Sequence, residues 1–489
     1  MKFGLEQNII DKLIAVFEQH SKVDKALVFG SRAKGNYRPD SDIDIAIKGQ
    51  DLNTDDIIAM SVAFEEKGIT HKIDLINYET IKEPDLKDHI KRVGIELYSR
   101  WKSVKLQEIV SKLGDGLHGT PEYDIDGEYY FINGNNLIDG KIVIKENTQR
   151  VTEQEYLKYK KELNDRTILL GINGTIGNVA IYNGEKCILG KSACYFNVIN
   201  NVSKDYIKYV VMDKTFQNYI ENFANGSTIM NVSLKVVRDY EFALPPIPEQ
   251  TAIANILTSL DDKINLLHRQ NKTLEQLAET LFRQWFVEEG DIEFRPLKTF
   301  VDVIDNRGKT PPFSDIKTDF PIVEVKSLSN NDRFVNYDAC EKYVNEETYK
   351  NWFRKGHPIR NDILISTVGS IGEMAFVIEN KGGIAQNVIG LRAKNISPFY
   401  LYQFLSLHKT RREIKDLDIG AVQPSIKVPH LLDIDIPIPK DKNLIEEFEK
   451  QLIPMFEKMK VNHFQIKTLT QNRDTLLPKL MSGEVRVNL

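Results

Sequence analysis

An internal repeat beyond about residue 100 is the feature that most limits what this chain can fold into. A Gly-Thr-Ile-Gly segment at residues 174–177 returns as Gly-Ser-Ile-Gly at residues 369–372, and Thr120-Pro121 returns as Thr310-Pro311. The spacing between matching segments drifts from 190 to 195 residues, as expected if loops were inserted into a shared fold. Because solenoid repeats are only about 20–50 residues long, this spacing indicates a duplicated domain.

A long amphipathic helix is predicted after each copy. Its apolar residues recur in alternating steps of four and three, the spacing of a narrow seam between two helices. The seam positions are Ile253, Leu257, Leu260, Ile264, Leu267, Asn271, Leu274, Ala278 and Leu281 in the first helix, and Phe448, Leu452, Met455, Met459, Asn462, Ile466, Leu469, Arg473 and Leu476 in the second. The pattern favours an antiparallel helix pair over two stripes that each pack on their own domain. Such a pair would bring Asn271 close to Asn462, where the two amides could fix the register.

The first hundred residues carry a different pattern. Isoleucines alternate with Asp42 and Asp44 in one predicted strand, which puts both carboxylates on one face, and a later strand carries Asp74. Three carboxylates on neighbouring strands are hard oxygen ligands of the kind that hold divalent ions in phosphoryl transfer. Upstream, Gly30 would let the backbone approach a triphosphate, Ser31 could hold phosphate oxygens, and Arg32 or Lys34 would add positive charge.

These residues resemble the minimal nucleotidyltransferases of the polymerase-beta-like fold over about residues 5–98. The resemblance implies transfer of a nucleotide from an NTP, expected to be ATP, to an acceptor hydroxyl, with Mg²⁺ as cofactor. Asp42, Asp44 and Asp74 would be the catalytic and metal-binding residues, and Gly30, Ser31 and Arg32 would bind the nucleotide. Small domains of this family often act as antitoxins that nucleotidylate a protein, so a protein acceptor is one expected partner.

Residues 101–485 resemble the specificity subunit of Type I restriction-modification systems. The resemblance rests on the repeated Gly-x-Ile-Gly element, Trp101–Leu106, Leu244–Gln250, Gln284-Trp285-Phe286 and Leu476–Gly483. It implies two target recognition domains that read a split sequence in double-stranded DNA. It also implies spacer helices that dock two methyltransferase subunits and, beyond them, restriction subunits.

Expected DNA contacts are the basic residues Lys191, Lys235, Arg307, Lys309 and Lys427, of which Lys235 and Lys427 stand at repeated positions. Side chains between residues 123 and 136 and between residues 327 and 336 lie in divergent stretches and are candidates for reading bases. The net charge of −5 does not itself indicate nucleic-acid binding, but it does not exclude a local basic face. The Gly-x-Ile-Gly segments are expected to be tight structural turns rather than phosphate loops.

Other enzymatic classes are disfavoured. Two Gly-Lys-Ser/Thr triplets, at residues 190–192 and 308–310, lack the first glycine of a Walker motif, since Glu185 and Val303 stand there. The Thr310–Phe313 segment lacks the asparagine of the adenine methyltransferase motif. Methylation and cleavage are therefore assigned to partner subunits, and the specificity region is expected to need no cofactor.

The expected fold class is α/β multidomain, with a nucleotidyltransferase fold followed by two α/β target recognition domains separated by a long antiparallel coiled-coil helix pair. The predicted boundaries are 1–98 for the nucleotidyltransferase domain, 99–248 and 291–440 for the recognition domains, and 249–290 and 441–485 for the spacer helices. Three cysteines and no apolar leader or membrane-spanning run favour a cytoplasmic protein. The alternative is mainly an antitoxin-like nucleotidyltransferase whose duplicated region is only a protein-binding scaffold.

Overall fold

The computed structural model describes residues 2–49, 51–226, 230–288, 291–328, 333–420, 423–441 and 443–487. The described residues divide into two compact units, the first lying within residues 2–258 and 474–487 and the second within residues 259–473. No helix in the described part is long and apolar enough to cross a membrane.

The N-terminal domain is a four-stranded sheet covered by helices. Its elements are α1 (Gln7–Gln19), β1 (Val23–Val28), α2 (Gly30–Lys34), β2 (Ile43–Gly49), α3 (Thr54–Glu66), β3 (Ile73–Asn77), α4 (Pro84–Val93) and β4 (Ile95–Ser99). The strand order is β3-β2-β1-β4, with β2 and β3 parallel and β1 antiparallel to both its neighbours. Phe17, Ile43, Ile45 and Phe64 are in the buried core, so the alternate residues of β2 face away from it.

Two residues separate β4 from the first copy of the repeat, which is called the first recognition domain after the role predicted for it. It contains β5 (Lys102–Lys105), β6 (Val110–Asp115), β7 (Tyr129–Ile132), β8 (Leu137–Ile138), β9 (Lys141–Ile142), β10 (Arg150–Val151), α5 (Glu153–Tyr159), β11 (Thr167–Gly171), β12 (Val179–Ile181), β13 (Cys187–Leu189), β14 (Ala193–Val198), α6 (Lys204–Met212), α7 (Lys214–Asn222), α8 (Leu234–Asp239) and β15 (Glu241–Leu244). Three of its sheets have the orders β12-β11-β14-β6, β10-β7-β13 and β15-β5, and β8 pairs with β9.

The helix α9 (Ile247–Arg283) follows, and then the second recognition domain. That domain contains β16 (Ile292–Pro296), β17 (Val301–Ile304), β18 (Phe320–Val323), β19 (Tyr343–Val344), α10 (Glu346–Asn351), β20 (Ile363–Ser366), β21 (Met374–Phe376), β22 (Gly383–Ile384), β23 (Val388–Ala393), α11 (Pro398–Ser406), α12 (His408–Asp416), α13 (Val428–Leu432) and β24 (Asp435–Pro439), before α14 (Asn443–Ser482). Its sheets, β17-β23-β20-β21, β19-β18-β22 and β16-β24, reproduce the three sheets of the first domain strand for strand. The repeat in the sequence is therefore a repeat of topology.

The two long helices, α9 and α14, run antiparallel. In the second unit Asn271 of α9 contacts Asn462 of α14. Phe282, at the end of α9, packs on Phe448, near the start of α14. Every predicted seam position is buried or half-buried. Phe448 and Leu452 also belong to the core of the second recognition domain, and Ile253 and Leu257 to that of the first. The helices therefore form a mutual seam and also close the two domain cores.

The predicted boundaries of the helices need small shifts. The helix α9 begins at Ile247 and α-helical geometry ends at Arg283, followed by a π-helical turn over Gln284–Glu288. Residues 289 and 290 of the predicted spacer lie outside the described ranges. The helix α14 begins before Pro454 and continues past it to Ser482.

Candidate functional site

Two of the three predicted catalytic carboxylates are direct neighbours in the N-terminal sheet. Asp44 of β2 stands opposite Asp74 of β3 in their parallel register, and Asp42 immediately precedes β2. Because successive residues alternate between faces, Asp42 and Asp44 share the face that points away from the isoleucine core. The sheet thus brings Asp42, Asp44 and Asp74 into one neighbourhood.

A lysine that the sequence reasoning missed lies between two of these carboxylates. The Lys72 Nζ is 2.7 Å from Asp42 Oδ2 and 3.3 Å from Asp74 Oδ2. Hydrogen bonds to Asp42 and then to Asp74 raise the pKa of Lys72, so its ammonium form is favoured. Lys72 precedes Asp74 by two residues, which puts the two on the same strand face, and that spacing could have revealed it.

The carboxylates fit a hard cation, but they do not form a closed three-ligand site. The ammonium of Lys72 acts as a stand-in cation between Asp42 and Asp74. Within the described ranges no group of three or more His, Cys, Asp or Glu side chains is arranged to hold a metal ion. The metal role of all three residues therefore stays a prediction.

Asp44 is packed against the backbone at Gly30. A Cβ on Gly30 would lie 2.1 Å from Asp44 Oδ2, and Gly30 has a φ of +71°, so both space and conformation require glycine there. Burial raises the pKa of Asp44, and the neighbouring charges of Asp74 and Asp42 raise it further. Gly30 is the first residue of the short helix α2 and makes room for a carboxylate, and the half-buried Ser31 follows it in the first turn.

Arg32 does not occupy the position predicted for it. Its side chain is 2% exposed, and its guanidinium donates to the carbonyl oxygens of Phe3, Pro39, Ser41 and Asp42 at 2.7–3.3 Å. Every guanidinium nitrogen is thereby engaged, which leaves no free face for a nucleotide phosphate. Arg32 instead holds the loop that leads into Asp42, whereas Lys34 is exposed.

An ion-pair cluster around the buried Glu249 joins the N-terminal domain to the rest of the first unit. The Glu249 carboxylate at the start of α9 is 3.5 Å from Arg100 Nε and 3.9 Å from Arg486 Nε, and Arg486 Nη1 is 3.2 Å from Asp24 Oδ1 in β1. Trp101 Nε1 also donates to Glu249. We call Asp24, Arg100, Glu249 and Arg486 the junction cluster. Sequence reasoning missed it because its members are far apart along the chain.

The repeated Gly-x-Ile-Gly segments are tight turns, as expected. Gly174, Gly177, Gly369 and Gly372 all have φ between +72° and +85°, a region that favours glycine. Each turn is tied to the segment before a short helix, since Gly174 N donates to Met230 O and Gly369 N donates to Pro424 O. The two domains therefore build the same turn on the same support.

The side chains predicted to contact DNA differ in whether they already form ion pairs within the protein. Lys191, Lys235, Lys309 and Lys427 are exposed, and none has an ion-pair partner among the described residues. Lys235 and Lys427 stand at the start of α8 and α13, the helices that follow the supports of the two turns. Arg307 is different, because it makes a two-pronged ion pair with Asp305 at 2.7 and 2.8 Å and donates to Thr367. That pairing makes Arg307 a loop-bracing residue.

The divergent stretches are only partly available for reading bases. Asn136 and Ser327 are buried, and the Asn136 amide donates to Val143 O and Thr148 Oγ1. Tyr123 and Ile125 are exposed. Residues 329–332 of the second stretch lie outside the described ranges. The exposed Tyr123 and Ile125, and not the buried Asn136 and Ser327, are therefore the candidates for reading bases.

A family model described as "Type I restriction modification DNA specificity domain" matches residues 98–276 and 289–457, and the chain belongs to this family. A second model, "Polymerase beta, Nucleotidyltransferase", matches residues 11–103. Both resemblances noted in the sequence, and the predicted fold class, are confirmed.

Similar proteins include two archaeal specificity subunits and one solved structure. The MjaIX specificity subunit of Methanocaldococcus jannaschii is 27% identical over 347 residues, which cover 66% of this chain and 78% of the relative. The MjaVIII specificity subunit of the same organism is 21% identical over 434 residues, covering 81% and 95%. The S subunit structure from M. genitalium matches with a TM-score of 0.48 at 20% identity, covering 78% of this chain and 96% of that one.

Proposed function

We propose that the chain is the DNA-recognition subunit of a Type I restriction-modification complex, with each recognition domain reading one half of a bipartite double-stranded target. The observation that carries this proposal is the strand-for-strand repetition of the sheets around an antiparallel helix pair. Equal scaffolds with different surface residues suit two different half-sites, since sequence is read by side chains at base edges. Exposed lysines such as Lys235 and Lys427 would contact phosphates.

The spacer helices would dock two methyltransferase subunits, which in turn would bring restriction subunits. In the second unit, Val461, Phe464 and Leu469 of α14 line a shallow apolar surface together with Lys263 of α9. Val461 and Phe464 are exposed although the opposite side of the same helix is buried in the seam. Exposed apolar side chains beside a packed seam are typical of a protein-binding face.

Methylation mapping of the host genome tests this proposal. The proposal expects a bipartite adenine-methylation motif that disappears when the gene is deleted and returns when it is supplied on a plasmid. An unchanged methylome after deletion would refute it and would favour the scaffold alternative.

We further propose that the N-terminal domain transfers a nucleotide from an NTP, expected to be ATP, to a hydroxyl of a protein acceptor. The observation that supports this is the grouping of Asp42, Asp44 and Asp74 beside the Gly30-Ser31 turn. When bound, Mg²⁺ would neutralise phosphate charge during the transfer. Asp42 and Asp74 would hold the ion where the Lys72 ammonium now lies, and Ser31 would contact phosphate oxygens.

The transfer forms a bond between the acceptor oxygen and the α-phosphorus and breaks the bond from that phosphorus to the bridging oxygen of the leaving pyrophosphate. The acceptor hydroxyl releases its proton to solvent, which reaches Asp74, the most exposed of the three carboxylates and a ligand of the ion. Asp44 would orient the reacting phosphate, because the Asp44 side chain is fixed against Gly30.

Labelling with α-phosphate-labelled NTPs, Mg²⁺ and host lysate tests this second function. The wild-type chain should label an acceptor, and the Asp42→Ala/Asp44→Ala double variant should not. Glu65→Ala removes an exposed carboxylate of α3 outside the site and should label like the wild type. Equal labelling by the double variant would refute the assigned site.

A further inference from the structure

A pocket of about 450 Å³ lies on the second recognition domain between two loops, residues 305–309 and residues 351–355. We call it the Trp352 pocket. Asn306 joins its two walls, because Asn306 Nδ2 donates to Gly356 O at 2.9 Å and Asn306 Oδ1 accepts from Lys355 N at 3.0 Å. Asn306 is itself buried. The loops are thus held together by the protein and form a defined concave surface.

The lining of the Trp352 pocket is strongly positive. Lys309, Arg354 and Lys355 are exposed there, and none of the three has an ion-pair partner within the described ranges. The carboxylate of the lining, Asp305, is occupied by the guanidinium of Arg307. Because that pair cancels its own charge, three uncompensated cations remain in one concavity of a protein with a net charge of −5.

The turn that presents Lys309 depends on Gly308. Gly308 has a φ of +98°, and a Cβ there would meet no atom within 4 Å, so the requirement is one of backbone conformation and not of space. The matching loop of the first recognition domain has His118 and Gly119 where this loop has Gly308 and Lys309, and His118 lies 2.5 Å from Asp115. The first domain therefore has no counterpart of Lys309.

We propose that the Trp352 pocket binds backbone phosphates of the DNA and is an electrostatic anchor of the second recognition domain. Lys309, Arg354 and Lys355 contact phosphate oxygens, and the half-buried Trp352 forms the apolar wall beside the sugar. Arg307 braces the loop and does not contact DNA. This inference rests on the proposed DNA-recognition function and assigns part of that function to a particular surface.

The salt dependence of DNA binding tests the proposal. Each phosphate contact that displaces a condensed counterion contributes about 0.9 to the slope of log K against log salt concentration. In the full-length chain with its methyltransferase subunits, the triple variant Lys309→Gln/Arg354→Gln/Lys355→Gln should therefore lose about 2 to 3 from this slope on a duplex carrying the methylated motif. The single variant Lys309→Gln, which changes one exposed loop residue, should lower this slope by about 1.

The matched control removes three positive charges elsewhere on the same domain. Lys342→Gln/Lys350→Gln/Lys394→Gln changes lysines that are already paired with Glu324, Glu346 and Asp302, so the slope should stay as in the wild type. Protection of the first half-site in a footprint verifies that the pocket variant is folded. A wild-type slope retained by both pocket variants would overturn the inference while leaving DNA recognition intact. A wild-type chain without any preference for the motif would instead overturn the proposed function.

Discussion

The side chains of Asn271 and Asn462 meet inside the seam between α9 and α14, where Asn462 Nδ2 donates to Asn271 Oδ1 at 2.8 Å. Both residues are almost fully buried, and each lies between apolar residues of its seam. A polar pair at a single seam position is known to fix register and orientation in coiled coils at some cost in stability. The pair thus identifies which turn of one helix faces which turn of the other.

Replacing one of the two asparagines is expected to destabilise the helix pair. Asn462→Leu leaves Asn271 Oδ1 buried without a donor, and we expect a loss of about 1–3 kcal/mol in the free energy of unfolding. The double variant Asn271→Leu/Asn462→Leu should recover that loss, because an apolar pair leaves no polar atom unpaired. Urea unfolding of the wild type, the two single variants and the double variant measures this, and additive losses in the double variant would contradict the pairing.

Arg32 is expected to be a structural residue. Arg32→Met leaves several buried carbonyl oxygens without donors, and we expect the N-terminal domain to lose at least about 2 kcal/mol of stability. Ser31→Ala, its neighbour, should leave the melting temperature unchanged while weakening nucleotide binding. Calorimetry and nucleotide titration separate the two effects, and an Arg32→Met protein of normal stability would contradict this assignment.

The carboxyl of Asp44 should make stability depend on pH. Its pKa in the folded protein lies above the ordinary value of 3.8, so the folded state binds its proton more tightly than the unfolded chain does. The sign follows from linkage: this group lowers stability as the pH rises from below 3.8 through the folded pKa. Asp44→Asn should therefore melt at a higher temperature than the wild type at pH 7, and the difference should vanish under acidic conditions near pH 3. A constant difference across that range would count against the burial and charge argument.

Lys72 should compete with a divalent ion for Asp42 and Asp74. Lys72→Met removes the ammonium and leaves two facing carboxylates, so Mg²⁺ should bind this variant more tightly than it binds the wild type. Isothermal titration measures the affinity, and Lys48→Met in the neighbouring β2 is the control. Equal or weaker Mg²⁺ binding by Lys72→Met would show that Lys72 and Mg²⁺ do not compete for the same carboxylates.

The junction cluster should hold the N-terminal domain in place. Arg486→Ala leaves the buried carboxylate of Glu249 with one arginine fewer and removes the ion pair to Asp24. We expect faster hydrogen exchange in β1 and at the start of α9, measured by mass spectrometry. Lys479→Ala, which breaks an exposed pair with Glu484, should leave both segments as they are. Unchanged hydrogen exchange in Arg486→Ala would mean that the junction cluster does not hold the N-terminal domain against the rest of the first unit.

How much of this was predictable depends on whether a contact is local in the sequence. The repeated Gly-x-Ile-Gly turns and the four-three spacing of the long helices are local patterns, and from them came the duplicated fold, the antiparallel seam and the meeting of Asn271 with Asn462. Asp42, Asp44 and Asp74 were found because alternation along a strand reveals its faces. Arg32 was predicted to bind nucleotide and Arg307 to contact DNA, because a sequence does not show whether an arginine is free or already paired. The structure shows that carbonyl oxygens engage Arg32 and that a carboxylate engages Arg307. The junction cluster depends on residues as distant as Asp24 and Arg486, which no local pattern connects.

Copying the first recognition domain into the position of the second tests most directly whether each copy reads one half of a split target. In this chimaera residues 106–240 replace residues 297–434 between unchanged spacer helices. Since two identical domains should read the same half-site twice, the host methylome should show a bipartite motif whose two halves are copies of one wild-type half-site. The wild-type motif, or a motif with two different halves, from a chimaera that still supports methylation would contradict the account.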